Sequence, residues 1–538
     1  MVVQRNSVMK ITGHASSGSK VNVIAGWDSR SREVKADSEG KFDISLDTPD
    51  AGGPYSIIIA DKDSKVKVGN VLSGELWLCS GQSNMEFPVD GWTSVMDADH
   101  VVSTARNPDI RLLQVKKRVA FSPQDDIETN MGGWVEAAPN TMDFSAIAYL
   151  YAKELRDSLK VPVGVIDATW GGTPAEAWTS YGFLKGVPGF EGELSAMESC
   201  GFDASRLREN YEKEMGVWMK LAQKGGEEIR PGDKLTGNVL PADYFERIGF
   251  GNGFDGIVWV QKEIDVPAED AGKPMTLKLG AIDDEDVTYL NGVDFSSLPK
   301  KPASIEGSSY PTVLYNAMIH PLRNLPIKGV LWYQGCANVG RAEQYETLFK
   351  SLINNWRDTW DSEFPFYFVQ LAGWLAPHSV QPDSEWAALR NAQSKALQLP
   401  NTAMVSAIDL GNPGDIHPRD KQTVAHRLAL TALGRDYGFD TNYKAPQCIS
   451  MQKMGNKIVL KFDDDLTATS VAILGFIIGD ADGDFDQAVA RMADSRTLEL
   501  YSPLVKKPVC VRYDWADFPN GNLYSRHGIP VAPFATDK

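Results

Sequence analysis

Twice along this chain of 538 residues, short apolar runs alternate with amphipathic helical segments, and that alternation points to a parallel sheet covered by helices on both faces. The first series starts at Val71 and includes strands at Ile110 to Val115 and Val163 to Ala168, with a helix from about Ile147 to Leu159 between them. The second has strands at Ile327 to Tyr333, Phe366 to Leu371 and Ala403 to Ile408, each followed by a helix. The helix after Arg341 has the strongest pattern. Tyr345, Leu348, Phe349, Leu352, Ile353 and Trp356 recur at i, i+3 and i+4 spacing, a stripe expected to pack into the core.

At roughly 150 residues per domain, a chain of this length should contain three or four. Residues 1–70 alternate in the β manner at Val21-Asn22-Val23-Ile24 and Tyr55-Ser56-Ile57-Ile58-Ile59, which suggests an N-terminal β-sandwich. Residues 71–224 and 310–438 read as two parts of one α/β domain. Residues 225–309 are Gly-rich and acidic, with strands expected at Ile257 to Val260, Met275 to Leu279 and Val287 to Leu290. They read as a β domain inserted into the α/β domain, tolerated because an insertion adds little closure entropy. From 439 to 538 the alternation stops, and Lys457 to Phe462, Ser470 to Ile478 and Val509 to Tyr513 suggest a C-terminal β domain.

A formal net charge of −17 argues against nucleic acid, whose phosphates require a concentrated basic surface. The longest apolar runs, such as Val161 to Ala168, are far below the roughly 20 residues that span a bilayer, so no membrane partner is expected. Five cysteines (Cys79, Cys200, Cys336, Cys448, Cys510) are scattered without Cys or His at zinc spacing, and no metal site is legible. Met1-Val2-Val3-Gln4-Arg5 reads as strand rather than as a signal peptide, as if residues upstream had been removed.

Chemistry gathers where strands end, because crevices open beyond the carboxyl ends of parallel strands. Trp77-Leu78-Cys79-Ser80-Gly81-Gln82-Ser83-Asn84-Met85-Glu86 breaks from apolar strand into small and polar residues, which makes Ser83 a candidate nucleophile. A serine nucleophile needs a base, usually His. His14 and His527 fall in the flanking β segments and His426 lies inside a helix with Val424 and Leu428. His417, after the last strand of the second series and before Pro418 at an expected helix start, is the best placed; His100, His320 and His378 remain possible by position. Oxyanion donors are offered by Gly171 and Gly172, where Thr173-Pro174-Ala175-Glu176 reads as a capping box, and by Asn338 after another strand.

Four strand ends carrying Ser, Gly, Asn and His in that order resemble the SGNH hydrolases, and within them the sialate O-acetylesterase family. The resemblance rests on W-L-C-S-G-Q-S-N-M-E, W-G-G-T-P-A-E-A-W, G-V-L-W-Y-Q-G-x-x-N and D-I-H-P-R-D-K-Q-T-V-A-H-R-L, with Val511 to Asp517 like the family's C-terminal signature. It implies an α/β fold: a flavodoxin-like SGNH hydrolase domain with an inserted, partly jelly-roll-like β domain and flanking β domains. It also implies an acetyl-enzyme mechanism without metal or other cofactor, and O-acetylated sialic acid as substrate in a periplasmic or secreted enzyme. Carried over, Ser83 is the nucleophile and His417 the base; Asp415, two residues before His417 where many SGNH enzymes have D-x-x-H, is either its orienting carboxylate or a loop residue, a backbone carbonyl then orienting the imidazole. The oxyanion hole is Ser83 N–H, a glycine of the Gly171-Gly172 pair and the Asn338 amide, with Gln82 and Gln334 substrate-binding. A chain at −17 that takes an anionic sugar needs a local cation, and Arg390 is the candidate to bind a sialic acid carboxylate, the alternative being a solvated helix residue.

Two departures accompany the resemblance. The family usually reads Q-G-E-S-N or Q-G-E-A-N where this chain has Gln334-Gly335-Cys336-Ala337-Asn338, so a carboxylate that would fix this loop is absent. The insert, which begins like the family's at Ala281 to Val287, also reaches the next block early, at Ser308 to Tyr310. Acetylated xylan or another acetylated glycan is the alternative substrate, and a glycan-binding protein on a decayed esterase scaffold is the alternative from another class. The sequence carries no signal of oligomeric state.

Overall fold

The structure, a computed structural model, describes residues 1–226, 289–290, 293–294, 305 and 307–538. Contacts divide the chain into two compact units, Met1–Ala204 with Glu306–Lys538, and Ser205–Ile305. In the second, the described elements are most of a helix, Ala204–Gly226, and an antiparallel pairing of Tyr289–Leu290 with Val293–Asp294. The strands expected at Ile257 to Val260 and Met275 to Leu279, and the Ala281 to Val287 block, lie outside the described residues.

The first unit is organised by one strand, β1 (Lys65–Gly81). Its first six residues are mostly exposed and pair antiparallel with the N-terminal strand Gly52–Ala60; from Val71 onward every residue is buried. That switch tracks the sequence, because Leu72, Leu76, Trp77, Leu78 and Cys79 supply apolar side chains to both faces, as a sheet covered on both sides requires. Around β1 lie β2 (Asn107–Gln114), β3 (Val135–Ala137), β4 (Val163–Thr169), β5 (Gly329–Tyr333), β6 (Phe366–Gln370) and β7 (Thr402–Ser406), in the spatial order β7-β6-β5-β1-β4-β2-β3. Neighbours are parallel except the short β3. The parallel sheet and its strands therefore stand as expected, each within two or three residues of the sequence-based bounds.

Chain order reverses at β1: strands that follow it first are laid down on one side, and β5, β6 and β7 on the other. This is a topological switch point, where an α/β sheet opens a crevice beyond its carboxyl edge. Helices α1 (Ala146–Leu159), α2 (Ala342–Trp360), α3 (Glu385–Lys395) and α4 (Lys421–Asp436) accompany the sheet. The stripe anticipated on α2 is fully buried at all six positions. Burial of each such side chain contributes roughly 1.5–3 kcal/mol. Trp332 on β5 meets Trp356 of α2 edge to face at 5.6 Å.

Residues after 447 form antiparallel sheets around a core that includes Ile458, Leu460, Leu498, Leu500 and Val511. The strand expected over Ser470 to Ile478 is shorter, Phe476–Gly479, because the Asn522 amide ties Ser470 Oγ and the Ala472 carbonyl into a turn. The Val511 to Asp517 block docks on α3: Ser384 Oγ donates to Asp517 (2.5 Å) and Trp515 Nε1 to the Pro382 carbonyl (2.9 Å). Among the described residues no helix is long and apolar enough to cross a membrane.

Candidate active site

Gly81 ends β1 at a φ of +138°, where a Cβ would fall 2.2 Å from the Tyr333 carbonyl oxygen; only glycine passes this close to β5. The chain then enters a single helical turn, Ser83–Glu86, which carries Ser83 beyond the sheet edge. His417 arrives from the loop between β7 and α4, and its Nε2 lies 2.8 Å from Ser83 Oγ. Its Nδ1 lies 3.3 Å from Asp415 Oδ1, and the same oxygen accepts the His417 backbone N–H at 2.9 Å. With Nδ1 facing a carboxylate, the proton of a neutral imidazole sits there and Nε2 is left to accept from the serine. The structure thus brings Ser83, His417 and Asp415 together. The other candidate bases go elsewhere: His320 Nδ1 contacts the Gln124 carbonyl, His426 contacts Glu154, and His100 and His378 are exposed. The helix after His417 starts at Lys421 rather than at Pro418, because the Asp420 side chain supplies the cap by accepting from Thr423 N–H (2.9 Å).

Burial holds the His417 imidazole below its ordinary value of 6.5; Lys421 pushes in the same direction and Asp415 opposes both. A base that works as neutral imidazole is then ready through mildly acidic pH. We expect kcat/KM to rise with pH through one ionisation below 6.5 and to stay level above it. Asp415→Asn should move that rise to lower pH, since it removes the group that favours the imidazolium. A pH–rate profile of both proteins checks this, and a rise above 6.5 in the parent enzyme would contradict it.

Facing Ser83 are the ends of β4 and β5. Gly172 has a φ of +74°, and its N–H, like that of Ser83, donates to no protein group among the described residues. The Gly171 N–H is committed, donating to Glu86 Oε2 at 2.6 Å, while Glu86 Oε1 pairs with Lys117 at 2.5 Å. Of the expected glycine pair, Gly172 is therefore the available donor. Asn338 is fully buried: Oδ1 accepts from Gln334 Nε2 (2.6 Å) and Ala175 N–H (3.0 Å), and Nδ2 donates to Glu176 (2.9 Å). That leaves one N–H of its amide. Glu176 also binds Arg341 at 2.8 Å, so the expected Thr173–Glu176 capping box is not made; Thr173 Oγ1 donates instead to the Trp170 carbonyl.

Three residues expected at the substrate are built into the scaffold. Gln82 Oε1 accepts from Gly335 and Ala337 N–H (3.1 and 3.3 Å), which fixes the turn bearing Asn338. Gln334 is fully buried and accepts from Tyr345 Oη at 3.0 Å. Arg390 is 0% exposed, its guanidinium donating to the Ala516 carbonyl and, at 3.4 Å, to that of Asp517, so it anchors the C-terminal segment and is not available to a ligand. A guanidinium on a buried helix face needs acceptors, and these carbonyls supply them to Nη1 and Nη2.

Four supporting residues are not expected at the site from the sequence: Asn84, Glu86 and Lys421, and Glu176, which reads there only as a helix cap. Buried Lys421, its ammonium brought down to about 7 by burial, donates to Asn84 Oδ1 (2.5 Å), and Asn84 Nδ2 donates to the Ile416 carbonyl (3.0 Å), next to His417. All four stand inside the same motif blocks as the catalytic candidates, which is the signal that could have found them. Among the described residues no cluster of His, Cys, Asp and Glu could hold a metal ion.

A family model described as carbohydrate esterase, sialic acid-specific acetylesterase, matches residues 302–433. The sialate O-acetylesterase of Mus musculus is 28% identical over 471 residues, covering 81% of this chain and 72% of that protein. That of Homo sapiens is 28% identical over 435 residues, covering 75% and 62%. Among solved structures, a carbohydrate acetylesterase from Xanthomonas citri superposes with a TM-score of 0.73 at 30% identity, covering 100% of this chain and 97% of that one.

Proposed function

The chain belongs to the sialate O-acetylesterase family of carboxylic ester hydrolases, and we propose that it removes O-acetyl groups from sialic acids through an acetyl-enzyme on Ser83. The observation that carries the mechanism is the 2.8 Å approach of Ser83 Oγ to His417 Nε2. Ser83 Oγ attacks the acetyl carbonyl as His417 takes its proton. The N–H groups of Ser83 and Gly172 and the free N–H of Asn338 receive the oxyanion. Collapse breaks the bond to the sugar oxygen, which leaves with the proton from His417; water, deprotonated by the same imidazole, then releases acetate and frees Ser83. Asp415 steadies the imidazolium. In this reading no metal or other cofactor takes part.

The strand order around β1 supports a flavodoxin-like SGNH hydrolase domain over 71–224 and 310–438, with β domains at 1–70 and 439–538; the inserted domain expected at 225–309 lies almost wholly outside the described residues. By family, the protein is periplasmic or secreted. A second reading, a deacetylase of xylan or another neutral glycan, gains from burial of Arg390, which removes the expected partner for a sialic acid carboxylate. We expect kcat/KM to be higher on 9-O-acetyl sialic acid than on acetylated xylan; the reverse order would favour the neutral glycan. A glycan-binding protein without turnover would hydrolyse neither.

A further inference from the structure

We propose that Trp92 is a sugar-binding platform, its indole face receiving the pyranose ring whose acetyl ester Ser83 cleaves. The proposal rests on the esterase reading above and adds where the leaving sugar is held. Trp92 is 60% exposed, although large aromatic side chains are ordinarily buried, and it stands at the catalytic base. Its ring centroid lies 5.8 Å from that of His417, edge on at 80°, and 5.6 Å from that of Phe87.

The exposure does not come from a loose loop. Val89 and Asp90 N–H donate to the carbonyls of Phe144 (3.1 Å) and Met142 (2.8 Å), and Val95 N–H closes the hairpin onto Val89 (3.1 Å). Arg419, two residues beyond His417, donates to the carbonyls of Ser94 (2.9 Å) and Val95 (3.2 Å), and Met96 N–H returns to Arg419 (3.2 Å). Phe87, Val89 and Val95 are buried and fasten the loop. The fold thus fixes an indole in the open beside the imidazole, with its N–H donating to no group among the described residues.

The direction follows from the chemistry. His417 returns its proton to the sugar oxygen, so the leaving sugar lies on the imidazole side, whereas Gly172 and Asn338 receive the carbonyl oxygen. A pyranose ring offers a face of C–H bonds that packs on an aromatic plane while its hydroxyls stay in water.

Competitive inhibition of ethyl acetate hydrolysis by free sialic acid tests this, because ethyl acetate has no ring to stack. In Trp92→Ala the inhibition constant should rise about tenfold, and kcat/KM on O-acetylated sialic acid should fall about tenfold further than on ethyl acetate. Trp92→Phe, which keeps an aromatic face, should recover most of both. Equal losses on the two esters would mean that the ring only supports His417, and unchanged inhibition would mean that the sugar sits elsewhere; either result overturns the proposal. Ethyl acetate hydrolysis that survives Ser83→Ala would instead overturn the acetyl-enzyme on Ser83, and no hydrolysis of either ester by the unsubstituted protein would overturn the esterase reading.

Discussion

Replacing Ser83 with alanine is expected to lower kcat for acetyl-ester hydrolysis by roughly 10⁴- to 10⁶-fold, with little change in KM. The substitution removes the atom that forms the acetyl-enzyme and leaves the oxyanion donors in place. His417→Ala should cost a similar factor, because an unassisted hydroxyl is a poor nucleophile at neutral pH. The double variant should be no slower than either single one, since the 2.8 Å pair acts as a unit and removing half of it removes the whole. Steady-state kinetics on an aryl acetate measure all three. Losses that multiply in the double variant would mean that serine and histidine contribute independently, against the mechanism proposed.

Asn338→Ala is expected to lower kcat by about 10²- to 10³-fold, a loss of roughly 2.7–4 kcal/mol of transition-state stabilisation, again with little change in KM. The missing family carboxylate at position 336 raises the alternative of a relaxed loop, in which a displaced amide would contribute little. The structure supplies other anchors. Gln82 holds two N–H groups of the turn, and Glu176 holds the Asn338 amide. Cys336→Glu, which would place a carboxylate beside buried Lys421, should therefore raise kcat little. A large rise would show that the loop is loose in this chain. Full activity of Asn338→Ala in both backgrounds would remove Asn338 from the mechanism.

What the sequence discloses and what it hides divide along physical lines. The parallel strands and the α2 stripe are legible because burial on two faces or on one stripe imposes a period that local composition must obey. Ser83 and His417 are legible because strand ends are marked by an abrupt change from apolar to small and polar residues. The internal bonds of Gln82, Gln334 and Arg390 are hidden for the complementary reason: polarity next to a nucleophile looks the same whether a side chain meets ligand or backbone, and only the tertiary hydrogen bonds distinguish the two. Gly171 fails as a donor because Glu86, distant by 85 residues, claims its N–H. Trp92 is invisible in periodicity altogether, since its significance lies in being left out of the core.

The central claim is that Ser83, activated by His417, is the nucleophile. Labelling the active protein with a fluorophosphonate and locating the adduct by peptide mass spectrometry tests it most directly. The account predicts one adduct, on Ser83, formed much more slowly in His417→Ala and absent in Ser83→Ala. An adduct reproducibly on another serine, or none in a preparation that hydrolyses acetyl esters, would contradict it.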